Sequence, residues 1–324
     1  MRLQRFPTLL VLAVVASVLL AATMLHAQQL RSSSSETASA APTPDSPPPD
    51  ARKLSPKTNA TPSTTSADTA TTIAQSQFAV KTLTDFLDQY RQAGNRQAEA
   101  HTLSALANCY REARQYQKAF ELFQSALTIW RELGNKEFQA TTLGHIGDVY
   151  RQWGFPDRAI AFYRDSLKFY QEDPGKSGEA APVMNNLGLS YLMVGDRKRS
   201  VEYLNMALNN YRVRQDQRGE AFALSNLASA YGFLMNDPHK ALDLLQESIT
   251  KLEVLDDRSS EANSLDISAI IWMKLKKPEM AALAFQHALA LYGAVGDARG
   301  EAAVRRHQAM IGQNNTIASI RSAP

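Results

Sequence analysis

Cysteine is nearly missing from this chain: Cys109 stands alone among 324 residues, so no internal disulfide can form. Glycine is sparse and builds no phosphate-cradling loop. The histidines His26, His101, His145, His239, His287 and His307 contain no i, i+4 pair and no HExxH, and no zinc-type spacing with cysteine arises. Charge of one sign is lacking as well. The formal charge of +3 falls to +1 when Arg2 and Arg5 are set aside (3 − 2), which leaves no case for nucleic acid. Acidic pairs such as Asp256-Asp257 fall where turns are expected and read as solvated caps. These absences predict no metal, no cofactor and no catalytic site. Cys109 is expected to be a buried, inert thiol; a nucleophile there would need a positioned base such as His101 or His145.

Long apolar runs are confined to residues 8–25, behind Arg2 and Arg5 and ahead of Ala27. Residues 1–27 therefore read as an export signal, or as a retained N-terminal anchor just long enough to span a bilayer. Leu25 stands where a cleavage site prefers a small residue, so both readings stay open. The expected location is outside the cytoplasm, or on the inner membrane through residues 8–25, with no other membrane contact. Residues 28–76 are dominated by Ser, Thr, Pro and Ala and are expected to be a disordered linker, since they carry too little apolar surface to offset chain entropy.

What is present is a repeat. Small residues recur at intervals of 40 or 41 at Ala79, Ala119, Ala159, Ser200, Ala241 and Ala281. Tyr110, Tyr150, Tyr191, Tyr231 and Trp272 precede the last five, and Leu83, Phe123, Tyr163, Leu204, Leu245 and Phe285 follow four residues after the small ones. Spacings of three and four on either side of a short turn describe helix A, turn, helix B. One such hairpin cannot bury its own apolar stripe, so neighbours must stack. Pro156, Pro238 and Pro278 suit the first turn of helix B. Gly94-Asn95, Gly134-Asn135 and Gly296-Asp297 supply a left-handed stop followed by a cap. The fourth repeat has one extra residue, assigned to its Met235-Asn236-Asp237-Pro238 turn.

The pattern Leu106-Ala107…Tyr110…Ala119…Phe123…Ala126, repeated as Ile146-Gly147…Tyr150…Ala159…Tyr163…Ser166, resembles the tetratricopeptide repeat, in its longer kinesin-light-chain-like form common in bacterial repeat proteins. The resemblance implies an all-α fold, a right-handed α-solenoid of stacked antiparallel helix pairs, over residues 77–312. Its parts are a half repeat at 77–96, repeats at 97–136, 137–178, 179–219, 220–260 and 261–300, and a capping helix at 301–312 with Arg305, Arg306, His307 and Gln308 on a polar outer face. The fifth repeat departs from the pattern at Ser268 and Trp272. Residues 313–324 are expected to be a flexible tail.

The resemblance also implies a concave groove lined by the A helices. Its inward positions fall on His101, Asn108, Arg111, His145, Asp148 and Arg151, then on Asn185, Asn186, Leu189, Leu192, Met193, Phe222, Asn226, Ser229 and Phe233, and finally on Ile270 and Met273, with Asp266 beside them. Related repeats use asparagines such as Asn186 and Asn226 to bind ligand main chain, which implies a peptide clamp; each amide can equally satisfy a neighbouring turn or water. Arg111 and Arg151 can select an acidic group or pair with Glu112 and Asp148. Leu189, Leu192, Met193, Phe233, Ile270 and Met273 form either core or an apolar docking surface, because the repeat residues already fill the usual core positions. The expected function is a non-catalytic scaffold that binds a protein or peptide segment. The alternative is a self-associating assembly component, a homo-oligomer built through the apolar half.

Overall fold

The computed structural model describes residues 66–172 and 179–321, with side chains from 79 to 172 and from 179 to 310. The export signal or anchor, and the linker up to residue 65, lie outside the described residues. These form twelve α-helices: α1 (Ser66–Gln92), α2 (Arg96–Glu112), α3 (Tyr116–Glu132), α4 (Lys136–Trp153), α5 (Pro156–Glu172), α6 (Ala181–Val194), α7 (Arg197–Val213), α8 (Gln217–Ser229), α9 (Pro238–Val254), α10 (Arg258–Lys274), α11 (Pro278–Val295) and α12 (Ala298–Arg321). No described helix is long and apolar enough to cross a membrane. The residues divide into two compact units, the N-terminal one ending at Ser190 and the C-terminal one starting at Tyr191. In each unit consecutive helices pack as antiparallel hairpins: α2 on α3, α4 on α5, α8 on α9, α10 on α11.

The turns are built as the residues dictate. Gly94 (φ 65°), Gly134 (φ 65°) and Gly296 (φ 70°) take the left-handed conformation. The next residue then caps the following helix: Asn95 Oδ1 accepts from the Ala98 N–H at 3.1 Å, Asn135 Oδ1 from Phe138 at 3.1 Å and Asp297 Oδ1 from Gly300 at 2.9 Å. Behind each stop the cap N–H reaches back to a carbonyl five residues earlier, as Asn95 does to Tyr90 at 2.9 Å. Arg114, Gln215, Asn236, Asp256 and Lys276 adopt the same left-handed conformation without being glycine.

The extra residue of the fourth repeat sits elsewhere than expected. Ala230–Met235 form a π-helical segment continuing α8, so the helix absorbs the insertion and the turn is unchanged. In the other repeats the A-helix aromatic carbonyl accepts from the residue five later, as Tyr150 does from Phe155; Tyr231 accepts from Asp237, six later. Phe233, within the segment, stays buried, and that burial keeps the chain helical.

Both ends extend further than expected. α1 begins at Ser66, inside the stretch read as linker and beyond the last proline of that stretch, Pro62. α12 continues to Arg321 through the segment read as a flexible tail, which has no proline before Pro324. Within α12 a correction follows. Arg305 and Arg306 are exposed, but His307 is fully buried, and its Nδ1 lies 2.7 Å from Asp266 Oδ2 on α10. A helix docked on α10 and α11 turns one residue in three or four inward, and Val304 and His307 share that side.

The small residues at Ala119, Ala159, Ser200, Ala241 and Ala281 are all buried, with Phe123, Tyr163, Leu204, Leu245 and Phe285 packed one turn on. Each such ring or branched side chain contributes about 1.5–3 kcal/mol on burial. Ser166 and Ser248, at equivalent places on the B helices, donate to the Ala140 and Ala221 carbonyls at 2.7 and 2.8 Å, stapling each B helix to its A helix.

Candidate peptide-binding face

The polar positions anticipated on the A helices gather in the N-terminal unit. On α2, His101 is exposed, its ring edge-on to Trp130 and Phe138 with centroids 4.8 and 4.6 Å away. Further along the helix, Asn108 Oδ1 accepts from both Nε (3.2 Å) and Nη2 (3.0 Å) of Arg111. The guanidinium is thereby held in one orientation by a neutral partner, and among the described residues it has no carboxylate; Glu112 does not take it. Tyr116, at the start of α3, stands within the field of Arg114, Arg111 and Arg151; burial nevertheless carries its hydroxyl above the ordinary phenol range.

Asp148 on α4 is the hub of the face. Its Oδ1 accepts from the Tyr163 hydroxyl at 2.6 Å and from Asn186 Nδ2 at 2.8 Å, and its Oδ2 lies 3.7 Å from His145 Nδ1. Burial opposes its charge, but His145, the charge of Arg151 and the Tyr163 hydroxyl together outweigh it and hold the carboxyl below its usual range. Tyr163 also accepts from Arg151 Nε at 3.4 Å, and burial followed by the Asp148 charge pushes the phenol well up. Gly147 makes this possible. A Cβ there would stand 2.6 Å from Tyr163 Cε1, so only glycine lets the ring reach across to Asp148. His145 in turn stacks on Phe123, with centroids 5.4 Å apart.

Asn186, expected to meet a ligand, is engaged at both ends of its amide: Nδ2 on Asp148, and Oδ1 accepting from buried Asn185 Nδ2 at 3.3 Å. In the C-terminal unit Asn226 is partly buried, and Ser229, 5% exposed, donates to the Ser225 carbonyl at 3.2 Å.

The apolar residues are not a docking surface. Leu189 (6% exposed), Leu192 (2%), Phe233 (9%) and Ile270 (6%) belong to the interior, and Met193 and Met273 are partly buried, Met273 against the core that holds Phe233 and Ile270. The expectation that the usual core positions were already filled overlooked volume. The fifth repeat carries Ser268 where a larger repeat residue stands elsewhere, and Ser225, Ser229 and Ser264 are buried beside it; such small side chains leave room that the larger neighbours occupy. Phe222 alone of the anticipated apolar set is exposed, at 41%.

Tyr163 was legible only as a stacking residue. Its signal was chemical: the same position is Leu, Phe, Leu, Leu and Phe in the other repeats, and a buried phenol calls for a partner. Cys109 is half-buried rather than buried, and burial, with the Glu112 charge behind it, raises its thiol, which disfavours the nucleophilic thiolate. Among the described residues no group of three or more His, Cys, Asp or Glu side chains is placed to hold a metal ion.

Helical hairpins of this period, with small and aromatic residues in this register, are those of tetratricopeptide-type repeats. The tetratricopeptide repeat profile matches residues 98–172 and 179–253, and the chain carries these repeats there. Among curated proteins none matches the sequence. Similar solved structures include BtubC (BKLC) from P. vanneervenii, 18% identical with a TM-score of 0.59, covering 68% of this chain and 92% of that one. Aspartyl phosphate phosphatase F from Bacillus subtilis is 12% identical, TM-score 0.60, covering 72% of this chain and 62% of that one. A Podosopora anserina kinesin light chain protein with nearly identical tetratricopeptide-like repeats is 16% identical, TM-score 0.50, covering 61% and 96%. At such identities the likeness is one of fold.

Proposed function

We propose that the chain is a non-catalytic scaffold whose A-helix face in the N-terminal unit binds an extended, acidic segment of another protein. One observation carries the reading: Arg111 is fixed by two hydrogen bonds to Asn108, a neutral residue, and has no carboxylate partner among the described residues. An arginine pre-oriented in this way, partly exposed, meets a carboxylate as a fork without losing further side-chain freedom. The one anion of the face, Asp148, is already satisfied by Tyr163, Asn186 and His145, so the local balance favours an incoming acid. His101 and Asn108 supply further exposed or partly exposed polar contacts along the same helix. A site outside the cytoplasm, free or tethered through residues 8–25, is part of the same proposal and rests on the apolar run alone.

A photo-crosslinking side chain placed at Ala105, partly exposed on α2 at the counterpart of Asn186, tests the face against one at Thr128, which is exposed on the neighbouring B helix. Capture from 105 of a segment rich in Asp and Glu, with nothing from 128, supports the assignment. Equal capture from both positions removes it.

A further inference from the structure

In the first four repeats one cation per A-to-B turn has an internal use. Lys118, Arg158, Arg199 and Lys240 stand 5.2, 5.6, 5.2 and 4.0 Å from the ring centroids of Tyr110, Tyr150, Tyr191 and Tyr231. The C-terminal unit carries more than this requires. Arg197, Lys198, Lys276 and Lys277 lie in its A-to-B turns, all exposed, and none has a carboxylate partner among the described residues. These turns share one end of the helices: Lys274 Nζ donates to the Gly232 carbonyl of the π segment at 2.6 Å, joining the last turn to the one before it.

Two of these lysines stand where the backbone is poorly served by them. Lys276 has φ of 59°, the left-handed region that glycine and asparagine favour. Lys277 occupies the N-cap of α11 and makes no side-chain bond to the helix, setting a positive charge on the positive end of its dipole. Within the unit the equivalent places hold Gly195-Asp196 and Asn236-Asp237, and both aspartates cap their helices. The first repeat tolerates a similar turn at Arg114 (φ 58°) and the uncapping Gln115, but Lys276 and Lys277 set two cations side by side on the exposed edge.

Exposed apolar side chains stand among the cations: Val194 at 40%, Met235 at 46% and Met280 at 44%. Met280 takes the helix position that the stacked cation holds in the other repeats. Ammonium and guanidinium groups interleaved with flexible apolar tips match the boundary of an anionic bilayer, where phosphates meet the former and the acyl region admits the latter. Single-stranded nucleic acid would need bare aromatic platforms; here Tyr191 is buried, Tyr231 lies under Lys240, and Trp272 is partly buried against the core of the unit. We propose that the A-to-B edge of the C-terminal unit docks on an anionic lipid surface.

The test uses the full chain and its Lys276→Gly/Lys277→Asp variant, which restores both local preferences and therefore folds at least as well. Sedimentation is compared with vesicles of phosphatidylcholine alone and with vesicles containing about 30% phosphatidylglycerol; the ratio of the two affinities cancels any insertion by residues 8–25. A second variant, Arg214→Gln/Arg299→Asp, removes the same charge from exposed positions in the turns at the opposite end. The expected result is a fall in the ratio of at least about thirtyfold for the first variant, from two lysines lost and one carboxylate gained, with a melting temperature no lower than that of the parent. The second variant keeps the parental ratio. A parent that does not distinguish the two vesicles, an unchanged ratio in the first variant, or an equal loss in the second overturns the proposal. So does an RNA oligonucleotide whose binding, rather than the vesicle ratio, is lost with Lys276 and Lys277.

Discussion

Asn186 on α6 donates from Nδ2 to Asp148 Oδ1 on α4 across 2.8 Å, linking the A helices of two successive repeats through a single carboxylate oxygen. The same oxygen accepts from Tyr163, so the polar face and the packing of a B helix share one anchor. Removing the hydroxyl in Tyr163→Phe leaves Asp148 one donor short and Arg151 without its acceptor. A loss of about 1–3 kcal/mol in denaturant unfolding is expected. Gly147→Ala should cost a similar amount by displacing the same ring, since the new Cβ has no room beside it.

Asp148 also sets an acid limb. Its folded carboxyl lies below the ordinary range, so the stability it contributes is complete above the pH at which an unfolded aspartate ionises and is lost as pH falls through the depressed folded value. Asp148→Asn should flatten the stability profile on that side of the ordinary carboxylate range, in thermal melts taken from neutral pH downward. A profile parallel to the parent would show that Asp148 does not titrate as described.

Two glutamates at equivalent places on successive A helices should respond in opposite directions. Glu220 pairs with Arg212 at 2.8 Å and Lys251 at 3.1 Å, and these cations overcome burial to lower its carboxyl. Glu261, equally buried, faces Glu253 where Arg212 stood, with His287 at 3.8 Å; burial and then the like charge of Glu253 raise it against the weaker pull of His287 and Arg258. Glu220→Gln is expected to cost about 1–3 kcal/mol at neutral pH. Glu261→Gln is expected to gain about 1 kcal/mol there, because a raised carboxyl loses stability as pH climbs past the ordinary glutamate value. Urea unfolding of the two variants checks both signs.

The π segment and Lys274 form a coupled pair. The insertion exposes the Gly232 carbonyl to Lys274 Nζ, and burial lowers that ammonium's pKa. Lys274→Met should cost about 1–3 kcal/mol in the parent and far less once Met235 is deleted to restore a regular helix. Additive effects in this double-mutant cycle would contradict the coupling.

Helix pairing, turn chemistry and the small-residue register were legible because each has a spacing or a residue type of its own. The position of the insertion was not, since a count of residues between Tyr231 and Ala241 does not say whether helix or turn takes the extra one. Phe233 decides it by staying buried. His307 was hidden by its neighbours Arg305 and Arg306, which do face solvent, although its spacing of three from Val304 placed it on the inner side. On the candidate face the inward positions of α2 and α4 follow from the register. The engagement of Asn186 by Asp148 does not, because a residue's place on a helix does not reveal which neighbour reaches it first.

Selection of an acidic segment by Arg111 is tested most directly with random peptides displayed against the parent chain and against Arg111→Glu. Enrichment of Asp and Glu is expected on the parent and a shift to Lys and Arg on the variant, whose new carboxylate joins that of Asp148 along the face. Peptide sequences that are indifferent to the charge at position 111 would contradict it.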